Sequence, residues 1–280
     1  MWRKQIVLLV LGIFLSSSLC IAVRTPVTVQ TKVGSIKGYQ ENVNIDGKEK
    51  TISKFLGIPF AESTAGVNRF QKPVPKAKFA NTFDAREVGY TCYQSTTKTA
   101  EAIENMYGLK TGFSDDCLSL NIYVPGDATT GSPKSVMIWI YGGAFITGAS
   151  ALYKATGLTL FGDVIVVTVN YRLGMFGFLR DSEDHFPGNQ GLWDQQLAIK
   201  WVYDHIESFH GLKTNITIFG QSAGSASVLF QAMYPGNRGL FQRVIAESGT
   251  PFAKWAVVNE SISDQYIADK GCTVWLLGCC

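Results

Sequence analysis

The stretch that most limits the fold is NITIFGQSAGSASVLF, residues 215–230. A β-branched and aromatic run at 216–219 meets a glycine-flanked turn at Gln221-Ser222, and a helix-like run follows from Ala223 to about Met233. A strand that passes straight into a helix is half of a βαβ unit, and such units build parallel sheets covered by helices. Ser222 stands between Gly220 and Gly224. Gly-x-Ser-x-Gly at a strand-to-helix turn is the pattern of a nucleophile elbow, in which the serine is strained and exposed above the helix N-terminus.

The surrounding chain agrees with that class. Residues 27–33 and 51–56 predict early strands, and 118–124 alternates as a half-buried strand should. The β-branched runs at 136–141 and 164–169 predict interior strands covered on both faces. From 192 to 209 the apolar positions Leu197, Ala198, Trp201, Val202, Ile206 and Phe209 form a helical stripe, with His205 beside it as a packing or hydrogen-bonding residue. QRVIAESG, residues 242–249, predicts a further strand. The expected fold class is α/β, with a mostly parallel central sheet in one domain.

A formal net charge of +3 with no basic stripe excludes a nucleic-acid partner as the working expectation. The N-terminus, MWRKQIVLLVLGIFLSSSLCIAV, has a short basic start, an apolar run at 6–15, and small residues offering cleavage near Cys20 or Ala22. That is the plan of a secretory signal peptide over residues 1–22, too short for an ordinary membrane span. Its removal takes Arg3 and Lys4 and leaves a charge of about +1. No later segment is long enough to cross a bilayer, so a secreted chain is expected.

An oxidising compartment favours disulfides over metal sites, and no metal or cofactor is expected. Cys92 and Cys117 are the natural pair, closing a loop that would stabilise by roughly 3 kcal/mol. Cys272, Cys279 and Cys280 are then an odd number, so one thiol stays free, pairs with another chain, or belongs to an unusual C-terminus. Asn215 and Asn259 head sequons for N-linked glycans.

The second chemical motif is YGGAF, residues 141–145, a Gly-rich loop leaving a strand upstream of the elbow. α/β hydrolases place the other half of the oxyanion hole there. Gly143 and Ala144 would offer two backbone N–H donors and Ala223 a third, each worth about 3 kcal/mol to a tetrahedral oxyanion. Either motif alone could be a tight structural turn. Both in the required chain order favour acyl-transfer chemistry.

KFLGIPFAE, SDDCLSLNIYVP, VMIWIYGGAF, VIVVTVNYRLGMFGFL, PGNQGLWDQQLAIKWV and ITIFGQSAGSAS together resemble the N-terminal half of the type-B carboxylesterases. The resemblance implies an α/β-hydrolase fold over residues 23–280 whose C-terminal half is missing. It implies carboxylic ester hydrolysis through Ser222, with Gly143, Ala144 and Ala223 as oxyanion donors. It also implies two ion pairs, Arg69 with Asp115 and Arg172 with Asp194.

Cholinesterases carry a tryptophan in the loop matching Cys92–Cys117, on which a quaternary ammonium rests by cation–π attraction, and a glutamate before the serine. This loop has Tyr107 but no tryptophan, and Gln221 precedes Ser222. A small neutral ester or acylglycerol is therefore the expected partner; oligomeric state is not legible. The three histidines, His185, His205 and His210, all precede Ser222, whereas an α/β hydrolase takes its base from a histidine after the serine. The tail TVWLLGCC after Cys272 also departs from the family, as in a truncated chain. Two readings follow: a secreted serine ester hydrolase, inactive as this chain if the base is absent, or a non-catalytic, neuroligin-like binding or adhesion relative.

Overall fold

The computed structural model of the 280-residue chain describes residues 24–94, 112–180 and 186–257. It opens with three strands in succession, β1 (Thr25–Thr31), β2 (Gly34–Ile45) and β3 (Lys48–Pro59), paired antiparallel. The β2–β3 turn is Asp46-Gly47, both at positive φ (52° and 75°). That is the Asp-Gly signature of a two-residue hairpin turn, whose twist matches the strands it joins.

Three two-residue strands follow, β4 (Phe83–Asp84), β5 (Thr91–Cys92) and β6 (Phe113–Ser114). Then come β7 (Ser119–Pro125), β8 (Lys134–Ile140), α1 (Thr156–Gly162), β9 (Ile165–Val169), α2 (Gly174–Phe178), α3 (Gln190–His205), β10 (Gly211–Gln221), α4 (Ala223–Met233) and β11 (Arg243–Glu247). The main sheet runs β1-β2-β3-β7-β9-β8-β10-β11, with β4 beside β2. Pairing is antiparallel from β1 to β9 and parallel from β9 through β8 and β10 to β11. The parallel half is the part that carries the predicted motifs.

Two burial expectations are corrected. β7 is buried at all seven positions, so the half-buried reading fails. Its buried asparagine is internally satisfied: Asn121 accepts from the Gly57 N–H at 2.9 Å and donates to Thr168 Oγ1 at 3.0 Å and Ser150 Oγ at 3.2 Å. A residue whose donor and acceptor are both used costs little to bury. β9 is buried throughout, as expected of a covered interior strand. In β8, by contrast, Ser135, Met137 and Trp139 are only partly buried between fully buried neighbours, so one of its faces is less covered.

The helix expected at 192–209 is α3 plus a 3-10 turn at Ile206–Phe209. α4 matches its expected span. Its first six residues, Ala223 to Val228, are buried all round, as is Gln231, and the small side chains of the first turn let the helix approach the sheet closely. Gln195 donates to Ser227 Oγ at 3.0 Å and Gln231 to the Leu192 carbonyl at 2.8 Å, locking α3 to α4.

Candidate active site

The carboxyl ends of the parallel strands gather at one edge: Ile140 of β8 pairs with Val169 of β9 and Gly220 of β10, and Gln221 pairs with Glu247 of β11. Open α/β sheets bind their ligands at this end. Ser222 follows directly, at φ 57° and ψ −120°, heading α4. The strain is imposed from three sides. Its N–H donates to the Glu247 carbonyl at 2.8 Å, and its own carbonyl accepts from the Ala226 N–H at 3.0 Å. A Cβ on Gly249 would stand 2.3 Å from that same carbonyl oxygen.

The flanking glycines are steric requirements. A Cβ on Gly220 would lie 2.5 Å from the Gly224 backbone, and one on Gly224 would lie 2.0 Å from the Ile140 carbonyl oxygen. α4 starts so close to the end of β8 that neither position has room for a methyl group.

The Gly-rich loop is pressed against the same serine. A Cβ on Gly142 would meet the Gln221 carbonyl at 2.4 Å and Ser222 Cβ at 3.1 Å. Gly143, Ala144 and Phe145 then follow at φ of 120°, 54° and 62°. The Gly143 carbonyl accepts from the N–H groups of Ile146 and Thr147, both at 3.0 Å. The N–H groups of Gly143, Ala144 and Ala223 donate to no acceptor among the described residues, as an oxyanion hole requires.

Two fully buried tyrosines hold the base of this loop. Tyr171 donates to the Tyr141 carbonyl at 2.7 Å and Tyr141 to the Tyr171 carbonyl at 3.2 Å, their rings stacked at 4.5 Å. Burial pushes both phenols well above their ordinary pKa, so they act as donors at any working pH. Beside the loop, Phe145 packs on Phe178 at 5.0 Å and faces Trp255 at 6.4 Å.

The expected supports are in place. Cys92 and Cys117 are joined. Arg69 pairs with Asp115 at 2.7 Å, and Arg172 grips Asp194 through two guanidinium nitrogens at 2.8 and 2.7 Å and its own N–H at 3.0 Å. Burial raises the Asp194 carboxyl above its usual range, with the guanidinium opposing the shift. Asn215 lies in β10 with its amide donating to Ser135 Oγ at 2.7 Å and its oxygen taken by Arg243. Asn259, Tyr107, His185, Cys272, Cys279, Cys280 and the leader fall outside the described residues.

His205 and His210 are remote from the serine. His210 precedes β10 and Ser222 follows it; Gly211 and Gly220 pair with Lys134 and Ile140 at opposite ends of β8, about 20 Å apart. His205 is bonded through Nδ1 to the Trp201 carbonyl at 2.7 Å and stacked on the Trp201 ring. Its Nε2 is buried without a partner among the described residues, and burial lowers its pKa. No group of three or more metal-ligating side chains occurs among the described residues.

Sequence reasoning passed over the Glu247 carbonyl, Gly249 and Gly142. Only Gly142 had a local signal, the doubled glycine of YGG; the other two act from a strand distant in sequence. Glu247 pairs with Gln221 in the β10–β11 register.

The chain is 40% identical to carboxylesterase 3 of Pongo abelii over 223 residues, which cover 79% of this chain and 39% of that protein. It is 39% identical to bile salt-activated lipase of Bos taurus over 269 residues, 91% of this chain and 43% of the lipase. Against acetylcholinesterase 4 of Caenorhabditis briggsae it is 40% identical over 236 residues, 83% of this chain and 38% of that enzyme. The chain thus spans about two-fifths of the length of the curated relatives it matches. The family model described as the carboxylesterase family matches residues 25–274, and the chain belongs to that family of α/β hydrolases.

Proposed function

We propose that the chain carries the nucleophile and oxyanion half of a secreted serine carboxylic ester hydrolase acting on a neutral ester or acylglycerol. The observation that carries this is the Gly-rich loop pressed through Gly142 against Ser222 in its strained elbow, with the N–H groups of Gly143, Ala144 and Ala223 donating to no acceptor among the described residues. A structural turn uses its amides internally; a binding surface has no need of a strained serine facing them.

In the proposed reaction Ser222 Oγ attacks the ester carbonyl carbon while its proton passes to a base. The carbonyl oxygen becomes an oxyanion held by the N–H groups of Gly143, Ala144 and Ala223. Collapse expels the alcohol and leaves an acyl-serine, and water attack releases the acid and restores the hydroxyl. The rings of Phe145, Phe178 and Trp255 favour an apolar acyl group. The loop without tryptophan disfavours choline, although Glu247 keeps one negative charge near the elbow.

A base is required, and no histidine lies between Ser222 and Cys280. We place the base outside these 280 residues and expect the chain alone to give little or no turnover of a short-chain aryl ester. The test is expression through a secretory route, followed by an organophosphate-type probe with Ser222→Ala as control. Slow labelling at Ser222 supports the hydrolase reading. No labelling, even at high probe concentration, favours the non-catalytic binding or adhesion reading for this chain.

A further inference from the structure

Gln94 is partly buried two residues after Cys92, outside the motifs so far used. Its side-chain amide meets the backbone of Gly148 with both hands. The Gly148 N–H donates to Oε1 at 2.9 Å, and Nε2 donates to the Gly148 carbonyl at 2.9 Å. Nε2 also reaches the Cys92 carbonyl at 3.2 Å. Among side chains with this reach, glutamine offers a neutral donor and acceptor in one plane at neutral pH, where glutamate is ionised.

Gly148 closes the loop that begins at Tyr141. Its φ is 133°, and a Cβ there would stand 2.5 Å from the Tyr141 ring and 3.1 Å from the Gly142 carbonyl oxygen. The neighbouring Thr147 N–H, with that of Ile146, holds the Gly143 carbonyl. That carbonyl shares a planar trans peptide with the Ala144 N–H, so fixing one aims the other in the opposite direction. The chain of constraint therefore runs from Gln94 to Gly148 and Thr147, then to the Gly143 carbonyl, and ends on an oxyanion donor.

We infer that Gln94 is a positioning residue that pins Gly148 beside the Cys92–Cys117 disulfide and thereby aims the Ala144 N–H. Its effect on rate rests on the hydrolase reading; the pinning itself does not.

Residue-resolved amide hydrogen exchange tests this without requiring turnover. In Gln94→Leu, the Gly148, Thr147 and Ile146 amides are expected to exchange about tenfold faster or more, with Val167 and Ile218 in the sheet unchanged. Unaltered loop exchange overturns the inference, as does equal acceleration of loop and sheet. Gln94→Glu covers the case in which the leucine variant fails to fold. Ionised, the glutamate has no donor for the Gly148 carbonyl; protonated, it regains one. Loop protection, corrected for intrinsic exchange, should return towards the parent value as the pH is lowered through the carboxyl's titration, and its failure to return counts against the pin. Probe labelling of Ser222 supplies the functional arm, with a rate expected to fall about tenfold in Gln94→Leu. If the parent does not label, the hydrolase reading fails while the exchange rates still decide the role of Gln94.

Discussion

Ser222 has a backbone that suits glycine better than serine, with φ at 57° and ψ at −120°. Such conformations cost of order 1–3 kcal/mol and persist only where the surroundings over-determine them. Here the surroundings are the bond to Glu247, the close contact of Gly249 and the first turn of α4. Comparing two variants that both lack the nucleophile isolates the strain. Ser222→Gly is expected to be more stable than Ser222→Ala by about 1 kcal/mol, after allowing for glycine's greater unfolded entropy, as read from denaturant midpoints. An alanine variant equal to or more stable than the glycine one would mean that the elbow stores no strain. At this scale the sequence is unusually legible, because GQSAG and YGGAF each declare a backbone shape through their glycines. The Glu247 carbonyl is not legible. A backbone acceptor leaves no mark on residue identity, and its distance from Ser222 is set by the β10–β11 register.

Among the elements, α3 and β9 were readable because composition and periodicity point the same way: an apolar stripe at helical spacing in one, a pure β-branched run in the other. β7 misled because Asn121 and Tyr123 look like solvent-facing positions. Asn121 instead spends its hydrogen bonds inside the sheet, and Tyr123 is 4% exposed with its phenol pushed up to about 12 by burial. The antiparallel β1–β2–β3 meander was only partly read; Asp46-Gly47 was its available signal. Between elements, Arg172 and Asp194 join the segment after β9 to α3, with Asp194 wholly buried. Removing one partner strands a buried charge. Asp194→Ala is therefore expected to destabilise by about 3–5 kcal/mol, measured by chemical denaturation, whereas replacing both residues with apolar ones should cost much less. Similar costs for the single and double changes would show that the pair contributes through shape rather than charge.

Across the sheet, burial falls off sharply at β11. β9 is covered on both faces, whereas β11 has four of its five residues exposed and pairs only with β10 among the described residues. Ser222 sits on the boundary, with its helix packed on the buried end of β8 and its N–H bonded to the exposed strand. Local opening starts where few apolar contacts hold the backbone, so β11 and the segment to Val257 should open well before β7–β10. Protease cleavage reports that order when opening is fast relative to cutting. Arg238, just before β11, and Arg243 and Lys254 within this segment are exposed, while Lys134 in β8 and Arg172 after β9 are 7% and 3% exposed. Limited trypsin digestion is thus expected to cut at those three sites before either core site. Once β11 is released, Ser222 loses the acceptor for its N–H and with it part of what holds the strained conformation. The elbow should then relax and any probe labelling decline in step with the cleavage, and labelling that survives complete cutting at Arg238 and Arg243 would show that α4 and the Gly-rich loop suffice to hold the nucleophile.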